Sequence, residues 1–387
     1  MLRGDFCRLV LLSLLALLSG CSFERLLPPA GAPAEGEAPG EYDGPPAGPP
    51  LQEAMYYQRL EGGRVRCQVC FRNCMLSPGE VSFCRNRENR DGTLYNLVYG
   101  RPSAVQFDPV EKEPLHHYLP GTDMLCLGTA GCNFRCKFCH NWTLSQHSIE
   151  EIGIYHDLDP QAALERARQR WRPPSISFTY NEPTAFYEYA YHIAKLAADN
   201  GIRVVFHSNG SMNPDPLRGL LPYVSAVTID LKAFHDDFYR EVCQGELEHV
   251  LRTLKIIREE GVWLELVNLV IPGLNDNMDD IRRMCCWISE NVGPETPLHF
   301  SRFFPAYRLT AVLPTPVETL EAAHAVAREE GLQFVSIGNV PGHLYNSTFC
   351  PGCGEVLIKR VHFTVHEINL EEGNCRFCGA SVPGVWQ

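Results

Sequence analysis

No long apolar run crosses this sequence. The strongest one, Leu9 to Leu18, is broken by Ser13. It falls short of the roughly 20 residues that a membrane-spanning helix needs. Positive charge is also scarce: 34 Lys and Arg stand against 46 Asp and Glu, a formal net charge of −12. That balance argues against non-specific binding to nucleic acid, which relies on a basic surface. A twin-arginine pair is missing near the start, so any export would proceed in the unfolded state.

Cysteine, by contrast, is abundant, with 17 in 387 residues. Eleven fall into three compact groups, and the others are Cys7, Cys21, Cys126, Cys243, Cys285 and Cys286. Groups at C-x2-C spacing read as metal sites rather than as a disulfide framework, which points to a reducing compartment. The beginning of the chain disagrees. Leu18-Ser19-Gly20-Cys21 resembles a bacterial lipoprotein processing site, with residues 1–21 as the signal segment and Cys21 as the lipidated, membrane-associating residue. Residues 22–50, rich in Pro, Gly, Ala and Glu, read as a disordered tether. Translation starting at Met55 is the alternative.

The central group is Cys132-x3-Cys136-x2-Cys139, following the strand-like run Met124 to Thr129 and a turn at Gly131. A [4Fe–4S] cluster normally takes four cysteines, so three local thiolates leave one iron open to a ligand. A zinc loop borrowing a distant fourth ligand is the other reading. The first group, Cys67, Cys70, Cys74 and Cys84, suits either a structural zinc knuckle or a second iron–sulfur cluster. The last, Cys350, Cys353, Cys375 and Cys378, has two C-x2-C knuckles 21 residues apart and reads as a zinc ribbon.

From residue 123 onward strands and helices alternate. Strands are predicted at 123–129, 175–180, 203–208, 226–232, 263–271 and 297–303, and helices at 160–170, 184–200, 215–221, 246–260 and 277–291, followed by a helix at 316–330 and a strand at 332–338. The fold class is therefore α/β, a partial (β/α)6 TIM-like barrel at 106–345. It lies between a Cys-rich metal-binding region at 51–105 and the ribbon at 346–387. Chemistry in such barrels sits at the C-terminal strand ends. Those ends offer Tyr180, Asn181 and Glu182, then Ser208 and Asn209, then Asp230 and Lys232, then His299. Glu182 can accept hydrogen bonds from an ammonium group. Asp230 and Lys232 share one face of their strand, where a buried charge pair needs a partner or ligand.

Several segments together resemble one family. They are Pro114 to Gly121, Gly128 to Cys139, Tyr180-Asn181-Glu182-Pro183, Asp230-Leu231-Lys232 and His299 to Pro305. They look like the radical S-adenosylmethionine (SAM) component of the AmmeMemoRadiSam system, similar to the pyruvate formate-lyase activating enzymes. The resemblance implies a [4Fe–4S] cluster on Cys132, Cys136 and Cys139 whose open iron holds SAM. It implies reductive cleavage of SAM to methionine and a 5′-deoxyadenosyl radical, and hydrogen abstraction from an unknown substrate. It further implies Glu182 near the SAM amino group, Lys232 approaching SAM, and a low-potential electron donor of the flavodoxin or ferredoxin type. Cys139-His140-Asn141 and Asp230-Leu231-Lys232 resemble the activases, which implies a protein segment as substrate; an enclosed small metabolite is the rival. Such chemistry belongs in the cytoplasm, where SAM and reductants are found. The competing class is a membrane-tethered metal-binding scaffold without radical chemistry.

Overall fold

The structure is a computed structural model, and it describes residues 51–169 and 175–387. The lipoprotein-like segment, Cys21 and the 22–50 tether lie outside the described residues. No helix among the described residues is long and apolar enough to cross a membrane.

Short runs of Val, Ile, Leu and Phe with nearly every residue buried are what a parallel sheet covered on both faces requires. They form β2 (Asp123–Gly128), β3 (Ser175–Phe178), β4 (Arg203–Ser208), β5 (Ala226–Asp230), β6 (Trp263–Val270), β7 (Leu298–Arg302) and β8 (Val335–Gly338). Periodicity did not flag the strand before them, β1 (Ala104–Pro109), which pairs antiparallel with β2. The eight strands lie side by side in chain order, with all pairs after the first parallel. β1 and β8 end the sheet at opposite edges, so it is a partial barrel.

Helices α1 (Pro160–Ala167), α2 (Tyr187–Asp199), α3 (Pro214–Leu220), α4 (Leu247–Glu259), α5 (Met278–Asn291) and α6 (Val317–Glu329) return the chain between strands. Their starts are chemically marked. Asp159 accepts from the Ala162 N–H ahead of a Pro at the first helical position, and Asn277 accepts from Asp279 and Asp280. A π-helical turn, Phe238–Cys243, breaks the rhythm after β5.

Residues before β1 form two small antiparallel sheets, Gln52–Glu53 with Thr93–Asn96 and Arg87–Arg90, and Tyr57–Arg59 with Val65–Cys67 and Met75–Leu76. They dock on α2 through a fully buried ion pair. Arg87 donates to both Glu188 oxygens at 2.9 and 2.8 Å, while Met55 N–H and Asn96 Nδ2 donate to the same carboxylate. The C-terminal region pairs Thr348–Phe349, Val356–Val361 and Thr364–Ile368. It is anchored by buried Arg360, which donates to Thr348 Oγ1 and the His116 carbonyl and lies beside Glu111.

Candidate cysteine-lined active site

β2 delivers the chain to its C-terminal end, where Gly128 must be small: a Cβ there would stand 2.9 Å from the Thr179 carbonyl on the neighbouring strand. Gly131 then turns the chain with φ +75°, and the cysteine loop follows. Backbone bonds fix the loop from outside, Arg135 N–H to the Cys243 carbonyl at 2.8 Å and Lys137 N–H to the Val242 carbonyl at 2.9 Å, both on the π-helical turn. Phe134, almost wholly buried, packs edge-on against Phe71 and Tyr239.

Cys132, Cys136 and Cys139 line one pocket of about 280 Å³. Burial pushes the Cys132 and Cys139 thiols up, the latter to about 11; for Cys136 a hydrogen bond with Cys243 is the larger cause and burial adds to it. These sulfurs are not drawn together as one ion would require. Among the described residues, Cys350, Cys353, Cys375 and Cys378 are the only group of three or more metal-binding side chains gathered within 4.8 Å. Three thiols that share a pocket without sharing one point fit a cluster in which each binds a different iron. The donor set therefore fits the iron–sulfur group.

Tyr180, Asn181, Glu182, Ser208, Asn209, Asp230 and Lys232 line the same pocket. Their tasks differ from one another. Asn181 is spent on the loop: its amide donates to the Ala130 and Gly131 carbonyls at 2.9 and 2.7 Å and accepts from Thr129 N–H. Glu182 accepts from Thr184 N–H and Oγ1, Ser208 Oγ and Asn209 N–H. Its pKa is nevertheless raised, because burial outweighs those donors. Asn209 donates to Asn133 Oδ1 at 2.7 Å, beside Cys132. Tyr180, at φ +68°, donates its hydroxyl to Asp108.

Lys232 Nζ donates to Asp230 Oδ2 at 2.8 Å. Burial opposes both charges, but each partner outweighs it, so the Lys232 pKa is raised and that of Asp230 lowered. Sequence reasoning missed the third member, His207. It lies between Glu113 Oε2 at 3.0 Å and Asp230 Oδ1 at 3.4 Å. Burial disfavours its charge, yet the two carboxylates push its pKa up to about 10. Its position at the end of β4, one residue before Ser208, was the available signal.

His299 is a correction. It does not line this pocket; its ring bonds Glu265 Oε2 at 2.8 Å and Ser336 Oγ at 2.6 Å. Both ring nitrogens are used within the sheet, so it serves as a satisfied core histidine.

A parallel partial barrel carrying a three-cysteine loop at its C-terminal rim defines the class. The family model described as the radical SAM superfamily matches residues 127–285. An uncharacterized protein of Methanocaldococcus jannaschii is 46% identical over 334 residues, 86% of this chain and 99% of that protein. The pyruvate formate-lyase 1-activating enzyme of Escherichia coli K12 is 22% identical over 214 residues, 52% of this chain and 87% of that enzyme. Among solved structures, a domain of pyruvate-formate lyase-activating enzyme from Bacteroides vulgatus aligns with TM-score 0.37 and 16% identity, over 42% of this chain and 98% of that one. This chain belongs to the radical SAM superfamily, and it has homology to the pyruvate formate-lyase activating enzymes.

Proposed function

We propose that the chain is a radical SAM enzyme that takes a hydrogen atom from a segment of a partner protein. Cys132, Cys136 and Cys139 would hold a [4Fe–4S] cluster, and SAM would lie in the pocket they line. When bound, the cluster and SAM together supply one-electron cleavage of a carbon–sulfur bond and a 5′-deoxyadenosyl radical. The chain's own residues orient and shield that chemistry. Asp230, Lys232 and His207 present fixed, mutually satisfied charges to the pocket. Glu182 is held at Oε1 by Thr184 and Ser208 and would offer Oε2, which accepts from Asn209 N–H, to an amino group, while Asn181 locks the loop. A low-potential donor of the flavodoxin or ferredoxin type would supply the electron.

The single observation that carries this reading is the convergence of the three cysteines with Glu182, Asp230 and Lys232 on one pocket. The protein-segment substrate draws support from the rim: His140, Asn141 and Asn339 line the pocket and are exposed, which leaves room for an incoming loop. The activating enzyme among the relatives, by its name, acts on another enzyme. At the other end, the sulfur pairs Cys350–Cys378 and Cys353–Cys375 stand 3.6 and 3.8 Å apart. A tetrahedron of sulfurs about 2.3 Å from one zinc has edges of about 3.8 Å. Zinc is the proposed occupant there.

The test is anaerobic reconstitution followed by reduction in the presence of SAM. Release of 5′-deoxyadenosine is expected from the intact chain and none from Cys132→Ala, Cys136→Ala or Cys139→Ala. Undiminished release from all three variants sinks the reading. A glycyl radical seen by spin resonance on a partner protein identifies the substrate class; deoxyadenosine label confined to small molecules excludes it.

A further inference from the structure

We propose that Arg72 and Arg135 are positioning residues for the central cluster: they fix the backbone of residues 132–134 and hold the reduction potential above the value the loop alone would set. This inference rests on the radical SAM reading of that loop. The two side chains come from different regions. Arg135 belongs to the cysteine loop, and Arg72 reaches it from the residues before β1. Arg135 Nη1 donates to the Cys132 carbonyl at 2.7 Å and to the Phe134 carbonyl at 2.9 Å, and its Nη2 donates to the Phe83 carbonyl. Arg72 Nε donates to the Asn133 carbonyl at 2.6 Å, and its Nη2 to the Gln244 carbonyl, just beyond the π-helical turn. The carbonyls of three consecutive residues are thus held by two guanidinium groups. With the backbone so fixed, the Phe134 N–H is directed at the Cys132 sulfur, 3.3 Å away.

One aromatic ring gathers both groups. The guanidinium carbons of Arg72 and Arg135 lie 3.4 and 4.1 Å from the centroid of Phe83. A ring face attracts a cation, so Phe83 keeps together two charges that repel each other. Their charge is not neutralised by a carboxylate. Every hydrogen bond that Arg72 or Arg135 makes goes to a backbone carbonyl. Lys232, by contrast, is paired with Asp230, and Arg85 with Glu151. Both side chains are half-buried, where water screens them only in part. Burial lowers the pKa of each, and neighbouring cysteines, Cys132 among them, act the other way. Because a guanidinium keeps its proton, the two stand as permanent positive charges beside the cysteine loop.

Reduction adds an electron to a cluster, so a fixed positive charge beside it stabilises the reduced form more than the oxidised one. Net charge and hydrogen bonds to the sulfurs are among the levers by which a protein sets this potential. The arrangement supplies both, the charge from the guanidinium groups and the hydrogen bond from Phe134 N–H. Removing either charge should therefore move the midpoint to a more negative value. The region before β1 then contributes to the site directly, through Arg72 and Phe83, and not only as a packed neighbour.

The test is the midpoint potential of the full-length, anaerobically reconstituted protein without SAM, read by spin resonance during a reductive titration. Arg72→Gln and Arg135→Gln should each shift it to a more negative value. Arg72→Lys keeps the charge but not the planar fork, and should stay closer to the native chain than Arg72→Gln does. Midpoints that are the same in all variants overturn the proposal. So does an equal shift in Arg72→Lys and Arg72→Gln, which would mean that geometry alone matters. Should a glutamine variant hold no cluster, hydrogen exchange of the metal-free chains decides. Faster exchange over residues 132–136 than in the native chain supports the assignment, and unchanged exchange overturns it. A native chain that takes up no iron overturns the radical SAM reading and this inference with it, whereas a loaded chain with unmoved midpoints overturns this inference alone.

Discussion

At the scale of single residues, Gly131 is the most constrained position in the site. It needs φ +75°, a region costly for any side chain, and it faces the Cys84 carbonyl. Gly131→Ala should therefore lose at least about 2 kcal/mol of stability, measured by denaturant unfolding, and should reduce iron loading as well. Glu182→Gln replaces an acceptor of four hydrogen bonds with a group that accepts at only one end. A buried donor is then left facing an amide NH2, and a loss of about 1–3 kcal/mol should follow. His207 gives a pH signature. Its pKa rises from about 6.5 in an unfolded chain to about 10 in the fold. A raised pKa means that the folded state binds the proton more tightly. Its contribution is full below about pH 6.5, declines above it, and is gone once pH passes about 10. Thermal stability of the native chain relative to His207→Gln should narrow across that window. A constant difference from pH 6 to 10 would show that His207 is uncharged in the fold.

At the scale of elements, a fully buried ion pair is one of the ties between the N-terminal sheets and the barrel. Arg87 and Glu188 are both fully buried, and Glu188 also takes Met55 N–H and Asn96 Nδ2. Removing one partner leaves an uncompensated buried charge, which typically costs about 3–5 kcal/mol. Arg87→Met should show a loss of that size in denaturant unfolding. Arg87→Met with Glu188→Met should recover part of it, because neither charge is then stranded. A double variant no better than the single one would mean that packing, not charge, is what Arg87 supplies. The π-helical turn Phe238–Cys243 is a second element of this kind. Its carbonyls hold the cysteine loop at Arg135 and Lys137, yet no periodicity announces it.

At the scale of the whole molecule, cysteine groups occupy the barrel rim and the regions at both chain ends. The C-terminal region is anchored through Arg360, beside Glu111 and bonded to the His116 carbonyl, away from its four-cysteine cluster. Cys353→Ser with Cys378→Ser should therefore remove one zinc, read by elemental analysis, while release of 5′-deoxyadenosine by the barrel persists. Unchanged zinc content would exclude that occupant.

The local pattern of the chain determined a good deal by itself. Continuous buried runs and helical periodicity fixed the parallel strands and their helices to within a few residues, because a strand buried on both faces admits little else. Spacing along the chain picked out the cysteine groups, and strand ends picked out Glu182, Asn209, Asp230 and Lys232. Tertiary structure decided what spacing cannot express. His299 looked like a strand-end ligand but is consumed by Glu265 and Ser336 from neighbouring strands. The His207 pKa is raised because Asp230 and Glu113, the latter 94 residues away, fold against it. The distinction between sulfurs at single-ion separation and sulfurs standing apart exists only in three dimensions, since the central and C-terminal groups both contain C-x2-C pairs. Sequence sets which atoms are available to bind, and packing sets the distances between them, which is where the choice of metal group lies.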